Sequence, residues 1–359
     1  MTHTLTIEPT GDTVAVAEGQ TILDACLRQG IWLPHACGHG LCGTCKVEVV
    51  DGDVDHGDAS GFALMDFERD GGKTLACTAR LLSDATIEAD IDEEPDALRI
   101  PVRDFTGTVV RLEDLTHDVK GVFIELPGDG IAFQAGQYVN LTVPGVEGAR
   151  AFSLANPPAQ RNLVELHVRL VPGGKATGWI HRDLKVGDTL TLSGPYGRFF
   201  VRKSAAAPMI FLAGGTGLSS PKSMILDLLA EGCTQPMVLI HGVRGLRDLY
   251  DRDLFEGLAA VHANLTYIPV LSDRQPGDAS LEDGWQGETG FVHEALHRHF
   301  GGMFAGRKAY LCGPPPMIEA CIRTLMQGRL FERDIFTERF LTAGDGDAGK
   351  VRSPVFKRI

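Results

Sequence analysis

Three cysteines and three glycines fall within nine residues of the chain, in the stretch CGHGLCGTC from 37 to 45. The spacing is Cys37-x4-Cys42-x2-Cys45, and Cys77 follows 32 positions after Cys45. Thiolates so spaced, with a distant fourth, suit a [2Fe–2S] cluster, whose sulfurs need backbone N–H groups aimed at them. Gly38, Gly40 and Gly43 let such a loop bend tightly by taking positive φ. The competing reading is a structural zinc site on Cys42 and Cys45, with Cys37, His35 or His39 completing it. Zinc sites usually offer a second close ligand pair, whereas LACTARL around Cys77 offers one thiol. Cys26, on an apolar helical face, reads as a small core residue.

At 359 residues the chain exceeds the roughly 250–300 at which single cores split, so two or three domains are expected. Its cysteines crowd towards the N-terminus, which points to a separate metal domain there. A formal charge of −13 argues against non-specific nucleic-acid binding, which needs a surplus of Lys and Arg. No apolar run approaches the ~18 residues of a membrane span, and MTHTLTIEPTGD lacks the shape of a signal peptide. A cytoplasmic protein is expected, and in that reducing compartment the cysteines do not read as a disulfide framework.

HTLTIEP and TVAVA alternate as strands, TILDACLRQG has helical spacing, and KVEVV follows the cysteine loop as another strand. These make a small α+β unit over 1–95, with 92–101 read as a linker because charge and proline replace periodicity. Over 100–203, short β runs broken by Gly and Pro indicate an antiparallel barrel or sandwich, with one helix near ATGWIHRDL. Over 204–345, apolar strands alternate with helical segments, which predicts a doubly wound parallel sheet. Residues 346–359 have no periodicity and read as a flexible tail.

Three further motifs carry chemistry. In RAFS, Arg150, Ala151, Phe152 and Ser153 offer a cation, an aromatic plane and a hydroxyl suited to a flavin, although such a tetrapeptide alone is usually a surface strand. HVRLVPGGKATGW adds His167 and Arg169, then Gly174, Lys175, Ala176 and Thr177 opening a helix whose free N–H groups suit a pyrophosphate. In MIFLAGGTGLSSP, Gly214, Gly215, Thr216 and Gly217 form a strand–turn–helix dinucleotide loop, with Ser where a third glycine would favour close packing. LCGPPPM sets Cys312, Gly313 and Pro314 at another strand's C-terminal end, beside a flat ring or simply as a rigid turn. Arg244 and Arg247 precede Asp248, so the residues leave NADH and NADPH both open.

With these motifs in order, the chain resembles the ferredoxin–NAD(P)H reductase superfamily fused to an N-terminal plant-type ferredoxin. Within it, TIEPTGD, GQYVNL, RLFERDIF and the FKRI ending are similar to the reductase components of multicomponent phenol hydroxylases, which serve soluble diiron monooxygenases. The resemblance implies a β-grasp ferredoxin domain, an antiparallel β-barrel FAD domain and a doubly wound parallel-sheet NAD domain. It implies Cys37, Cys42, Cys45 and Cys77 as cluster ligands and Arg150, Phe152 and Ser153 on FAD, with Ser153 near N5. Gly174 to Thr177 would meet the FAD pyrophosphate, and Gly215 to Gly217 would receive NADH with Cys312 near the nicotinamide. Glu338 and Phe340, in TERF, match an element folded over the flavin. Relatives usually carry Tyr where this chain has Phe152, so stacking is kept and a hydroxyl contact is lost. N-terminal placement of the ferredoxin favours FAD over FMN. The implied activity is NADH-driven reduction of a diiron hydroxylase acting on phenol or a similar aromatic, by a monomer that docks through the rim His39 to Thr44. An acidic ferredoxin face would call for a basic partner. The alternatives are the reductase of a Rieske ring-hydroxylating dioxygenase and a zinc-stabilised, non-catalytic nucleotide-binding protein.

Overall fold

The computed structural model describes residues 2–91, 94–273, 285 and 287–340, and the chain divides into two units after Arg103. The expected tail over 346–359 lies outside the described residues.

The first unit opens with β1 (Thr2–Glu8), β2 (Asp12–Ala17) and α1 (Ile22–Arg28), followed by β3 (Lys46–Asp51) and β4 (Val54–Asp55). It continues with α2 (Asp66–Asp70), β5 (Lys73–Leu75), β6 (Arg80–Leu81) and β7 (Ala85–Glu88). Alternation along β1 turns Leu5 and Ile7 into the core, where they pack with Ile22, Ala25 and Cys26 of α1. Thr21 starts that helix because its hydroxyl accepts the Asp24 N–H at 3.3 Å. The sheet order is β2-β1-β7-β3-β5, with β1 parallel to β7 across the middle. This is a β-grasp arrangement, and it leaves the long connection between α1 and β3 free to form the cysteine loop. Residues 94–102 carry neither strand nor helix. Arg99 pairs with Asp12 at 2.9 Å and the Val102 N–H donates to Leu27, which tie this stretch to the first unit.

In the second unit, β8 (Arg103–Asp114), β9 (Val119–Glu125), β10 (Tyr138–Thr142), β11 (Arg150–Ser153), β12 (Leu163–Arg169) and β13 (Thr189–Tyr196) form one sheet, with α3 (Lys175–Arg182) between its last two strands. The order β11-β10-β13-β8-β9-β12 curls until the edges meet, where the Ala155 N–H donates to the Glu165 carbonyl at 2.9 Å. The result is near a closed barrel, filled by Val109, Val122, Leu141, Leu166 and Leu192.

Then come β14 (Met209–Gly214), α4 (Ser219–Ala230), β15 (Met237–Val243), α5 (Arg252–Val261), β16 (Leu265–Leu271) and β17 (Glu288–Thr289). The chain continues through α6 (Val292–Phe300), β18 (Lys308–Gly313), α7 (Pro315–Gln327) and β19 (Ile335–Arg339). All strands run parallel in the order β17-β16-β15-β14-β18-β19. Along β14, Phe211 and Ala213 join Met224, Ile225 and Phe255 on one face, while Ile210 and Leu212 join Leu296, Ile318 and Leu325 on the other. Helices on both faces explain why the strand reads as one apolar run rather than an alternation. The order reverses between β14 and β18, which makes the ends of those strands the switch point where ligands bind in such sheets. Among the described residues, no helix is long and apolar enough to cross a membrane.

A buried ionic network joins barrel and sheet. Lys222 on α4 donates to Glu165 on β12 at 2.8 Å and to Asp251 at 2.9 Å. Burial works against the Glu165 charge, but the His167 bond and the Lys222 ammonium hold its carboxyl at about 2. Lys222 is likewise held above its ordinary value, because Glu165 and Asp251 outweigh burial. The depressed Glu165 value stabilises the fold by about 3 kcal/mol at neutral pH, an amount lost as pH falls from the ordinary carboxyl range towards 2. Lys222→Met strands the buried Glu165 and the half-buried Asp251, so urea unfolding at pH 7 should show a loss of about 3–5 kcal/mol. The loss should shrink at pH 4, where protonation relieves the unpaired charges.

Candidate functional site

The cysteine loop is shaped by its glycines. Gly38, Gly40 and Gly43 all hold φ near +70°. At Gly40 the demand is double, since a Cβ would sit 2.9 Å from the Thr78 methyl and 3.1 Å from the Asp58 carbonyl. The freed backbone turns its N–H groups on the sulfurs: Gly40 donates to Cys77 at 3.3 Å and His39 to Cys37 at 3.4 Å.

The four thiols fall into two interacting pairs, Cys37 with Cys42 and Cys45 with Cys77. The neighbouring Cys37 pulls the Cys42 thiol down to about 4, and Cys45 pulls Cys77 down to about 7. Cys37 and Cys45 are correspondingly pushed up. Among the described residues, three ligand atoms mutually within 4.8 Å, as one ion needs, occur at His117, Asp118 and Asp248 and not among the cysteines. Two pairs fit two irons, each taking two thiolates, better than a single tetrahedral zinc. His35 Nδ1 lies 2.7 Å from the Leu33 carbonyl. Cys26 is fully buried in the core, which pushes its thiol up to about 12.

The second constellation sits at the switch point. Ser153 ends β11, Ser220 lies in the first turn of α4, Cys312 stands near the end of β18 and Glu338 near the end of β19. Ser153 and Ser220 both donate to Glu338 Oε2, at 3.0 and 2.8 Å. Cys312 Sγ lies 3.7 Å from the same oxygen and 3.9 Å from the Ser220 hydroxyl. Burial pushes the Glu338 carboxyl up, against the two serines and Cys312. The group therefore keeps its proton to higher pH than an exposed carboxyl. Gly217 permits the close approach, since a Cβ there would run into the Cys312 carbonyl. Phe340 is fastened beside it, its N–H donating to Gly313 at 3.0 Å.

The structure thus brings Ser153, Cys312 and Glu338 together with Gly214 to Gly217, Gly313 and Pro314. A Cβ on Gly214 would sit 2.9 Å from the Pro314 ring, so these two loops are in contact. The Gly174 cap gives α3 no side-chain hydrogen bond, which leaves the N–H groups of Lys175, Ala176 and Thr177 at an open helix start. The Thr177 hydroxyl instead accepts the Val171 N–H at 3.1 Å. Arg150 is exposed, and its guanidinium donates to the carbonyls of Glu147, Gly148 and Ala149. Ala151 is exposed, whereas Phe152 packs on the barrel core. Arg169 pairs with Asp118 at 2.9 Å, and its guanidinium lies beside Gly215.

The His167 side chain, expected as a cofactor contact, lies in the buried network. Its Nε2 lies 2.9 Å from Glu165 and its Nδ1 3.2 Å from the Tyr250 hydroxyl, so both ring nitrogens serve the buried network. Side chains alternate along a strand, and the step from Arg169 back to His167 keeps the face but moves the ring inward under α4.

Several contributors are absent from the residues singled out above. Ser220 sits inside GLSSP, where the sequence shows only a missing glycine. Tyr138 is the ladder partner of both Ser153 and Tyr196, and the two tyrosine rings stack at 5.6 Å. The signal was present in GQYVNL and SGPYG, but strand register is needed to place Tyr138 between Ser153 and Tyr196.

Residues 5–82 match the family model for the 2Fe-2S iron-sulfur cluster binding domain. Residues 106–201 match the oxidoreductase FAD-binding domain and 211–323 the oxidoreductase NAD-binding domain. Over the full length of both chains, the sequence is 60% identical to the phenol 2-monooxygenase reductase component DmpP of Pseudomonas sp. (strain CF600). It is 56% identical, again over both full lengths, to the phenol hydroxylase P5 protein of Acinetobacter pittii (strain PHEA-2). The crystal structure of the Amycolatopsis cytochrome P450 reductase GcoB superposes with a TM-score of 0.84 at 37% identity, covering 95% of this chain and 99% of that one. The chain belongs to the family of phenol hydroxylase reductase components, in which a plant-type ferredoxin is fused to a ferredoxin–NAD(P)H reductase.

Proposed function

We propose that this chain takes electrons from NADH and delivers them to the oxygenase component of a phenol-hydroxylating system, a diiron enzyme by family resemblance. When bound, FAD accepts the two electrons of a hydride and passes them singly to the one-electron [2Fe–2S] cluster. The observation that carries this reading is the meeting of Ser153, Ser220, Cys312 and Glu338 at the sheet's switch point, on a chain that also holds the paired-cysteine loop.

Each element then has a task. Cys37, Cys42, Cys45 and Cys77 hold the cluster, with the N–H groups of His39 and Gly40 already on two of the sulfurs. Arg150 to Ser153 face the flavin, and the open start of α3 from Gly174 to Thr177 takes its pyrophosphate. Gly214 to Gly217 and Cys312 to Pro314 receive the nicotinamide nucleotide at the helix start of α4. Glu338 holds or releases a proton at Oε2, with Ser153 as its link to the flavin side. Phe340, fastened to Gly313, is the ring that must yield for the nicotinamide to approach.

The test is optical. The purified protein should be yellow-brown, and anaerobic NADH should bleach the flavin and cluster bands together. A colourless protein, or a coloured one indifferent to NADH, would overturn the reading.

A further inference from the structure

We infer that Leu41, Phe62, Met65 and Phe67 form the docking face for the oxygenase component, whose matching surface is apolar at its centre and basic around it. The inference rests on the electron-transfer function proposed above and names the surface through which that function is delivered.

The four side chains belong to one neighbourhood. Leu41 lies within the cysteine loop, and the turn that follows is fastened to that loop by the Ser60 N–H, which donates to the Gly40 carbonyl at 3.0 Å. The Ala63 carbonyl sits 3.2 Å from where a Gly43 Cβ would be. Phe62 next to Ala63 is 96% exposed, and Leu41, Met65 and Phe67 are 67%, 48% and 71% exposed. Four large apolar groups in the open beside a cluster loop are a recognition feature rather than scattered surface residues. Aromatic and Met side chains are the types that carry interface energy.

Charge selects the partner. Met1–Arg103 holds nineteen Asp and Glu against seven Lys and Arg, so the cluster unit carries −12 of the chain's −13 while the remainder is nearly neutral. Asp58, Asp66 and Asp70 are exposed around the apolar group. A second copy would meet acid with acid, and the near-neutral second unit offers no matching cationic field. A separate basic acceptor satisfies both the apolar and the acidic parts of the face.

The test uses Phe62→Ser/Phe67→Ser in the full-length protein, with Val261→Ser, an exposed change on α5, as control. Purified oxygenase component of phenol 2-monooxygenase is the titrant. The double variant should keep its cluster spectrum, its anaerobic cluster reduction by NADH and its transfer to a small dye. Its KM for the oxygenase should rise by at least about tenfold, as for removal of an interface anchor. For the wild type, KM should rise with added salt. An unchanged KM overturns the face, as does an equal shift in the control. Slower cluster reduction by NADH would also overturn it, since the occupant would then be the flavin-bearing unit of the same chain. If wild-type protein reduces its own cluster but not the oxygenase, the functional reading fails and the face with it.

Discussion

Cys77→Ser should abolish NADH-driven turnover of the oxygenase while leaving NADH-to-dye transfer within about twofold. Cys77 is half of one sulfur pair and also accepts the Gly40 N–H. Removing it therefore takes away a ligand and one of the donors' targets together. Outer-shell partners alone reach about 100-fold in metal affinity, so loss of a ligand should exceed that. The dye takes electrons at the flavin stage, which the switch-point residues serve without the cysteine loop. Cys26→Ala is the control: its thiol on α1 is buried in the core of the first unit, and the change should leave the cluster spectrum intact. Loss of dye reduction in Cys77→Ser would reverse the proposed order of the cofactors.

That experiment separates two sites whose legibility in the sequence differed for physical reasons. The cysteine loop is local: nine residues and a spacing determine which thiols bend together, and the glycines announce the bend. The NAD sheet was legible for a similar reason, since four short apolar runs alternating with helical segments have few topologies, and its glycine turn marks the first strand's end. The switch-point constellation is different. Ser153, Ser220, Cys312 and Glu338 come from four elements spread over 185 residues, and no periodicity links them. Resemblance supplied Ser153, Cys312 and Glu338 one by one, but their convergence on a single carboxylate oxygen is a property of strand order. Ser220 escaped because a serine at a helix start ordinarily reads as a cap. His167 shows the same dependence on tertiary structure: its place beside Glu165 and Tyr250 in the Lys222 network comes from the packing of α4 on β12 and not from its spacing in the sequence. The two edge elements, β17 and β19, were also hard to see, being a two-residue strand and a mixed run, IFTER, that pairs only because β18 is already in place.

The same convergence gives the second large effect. Ser153→Ala and Glu338→Ala should each lower the NADH-to-dye rate by about 100-fold, with FAD retained and the KM for NADH changed by no more than a few-fold. Glu338 Oε2 is the shared acceptor of Ser153 and Ser220, so either change breaks the link between the flavin side and the nicotinamide side. Residues acting through one hydrogen bond do not add. The double variant should therefore be no slower than the slower single variant, by stopped-flow measurement of flavin bleaching. Multiplication of the two losses would show that Ser153 and Glu338 act separately, and would leave the 3.0 Å contact as packing. Lys222→Met offers the contrast, because its charge is committed to Glu165 and Asp251. It should lower stability without touching the intrinsic hydride rate of the folded enzyme. A loss of rate confined to Ser153 and Glu338, and a loss of stability confined to Lys222, would divide the interface between barrel and sheet into a working part at the strand ends and a fastening beneath it.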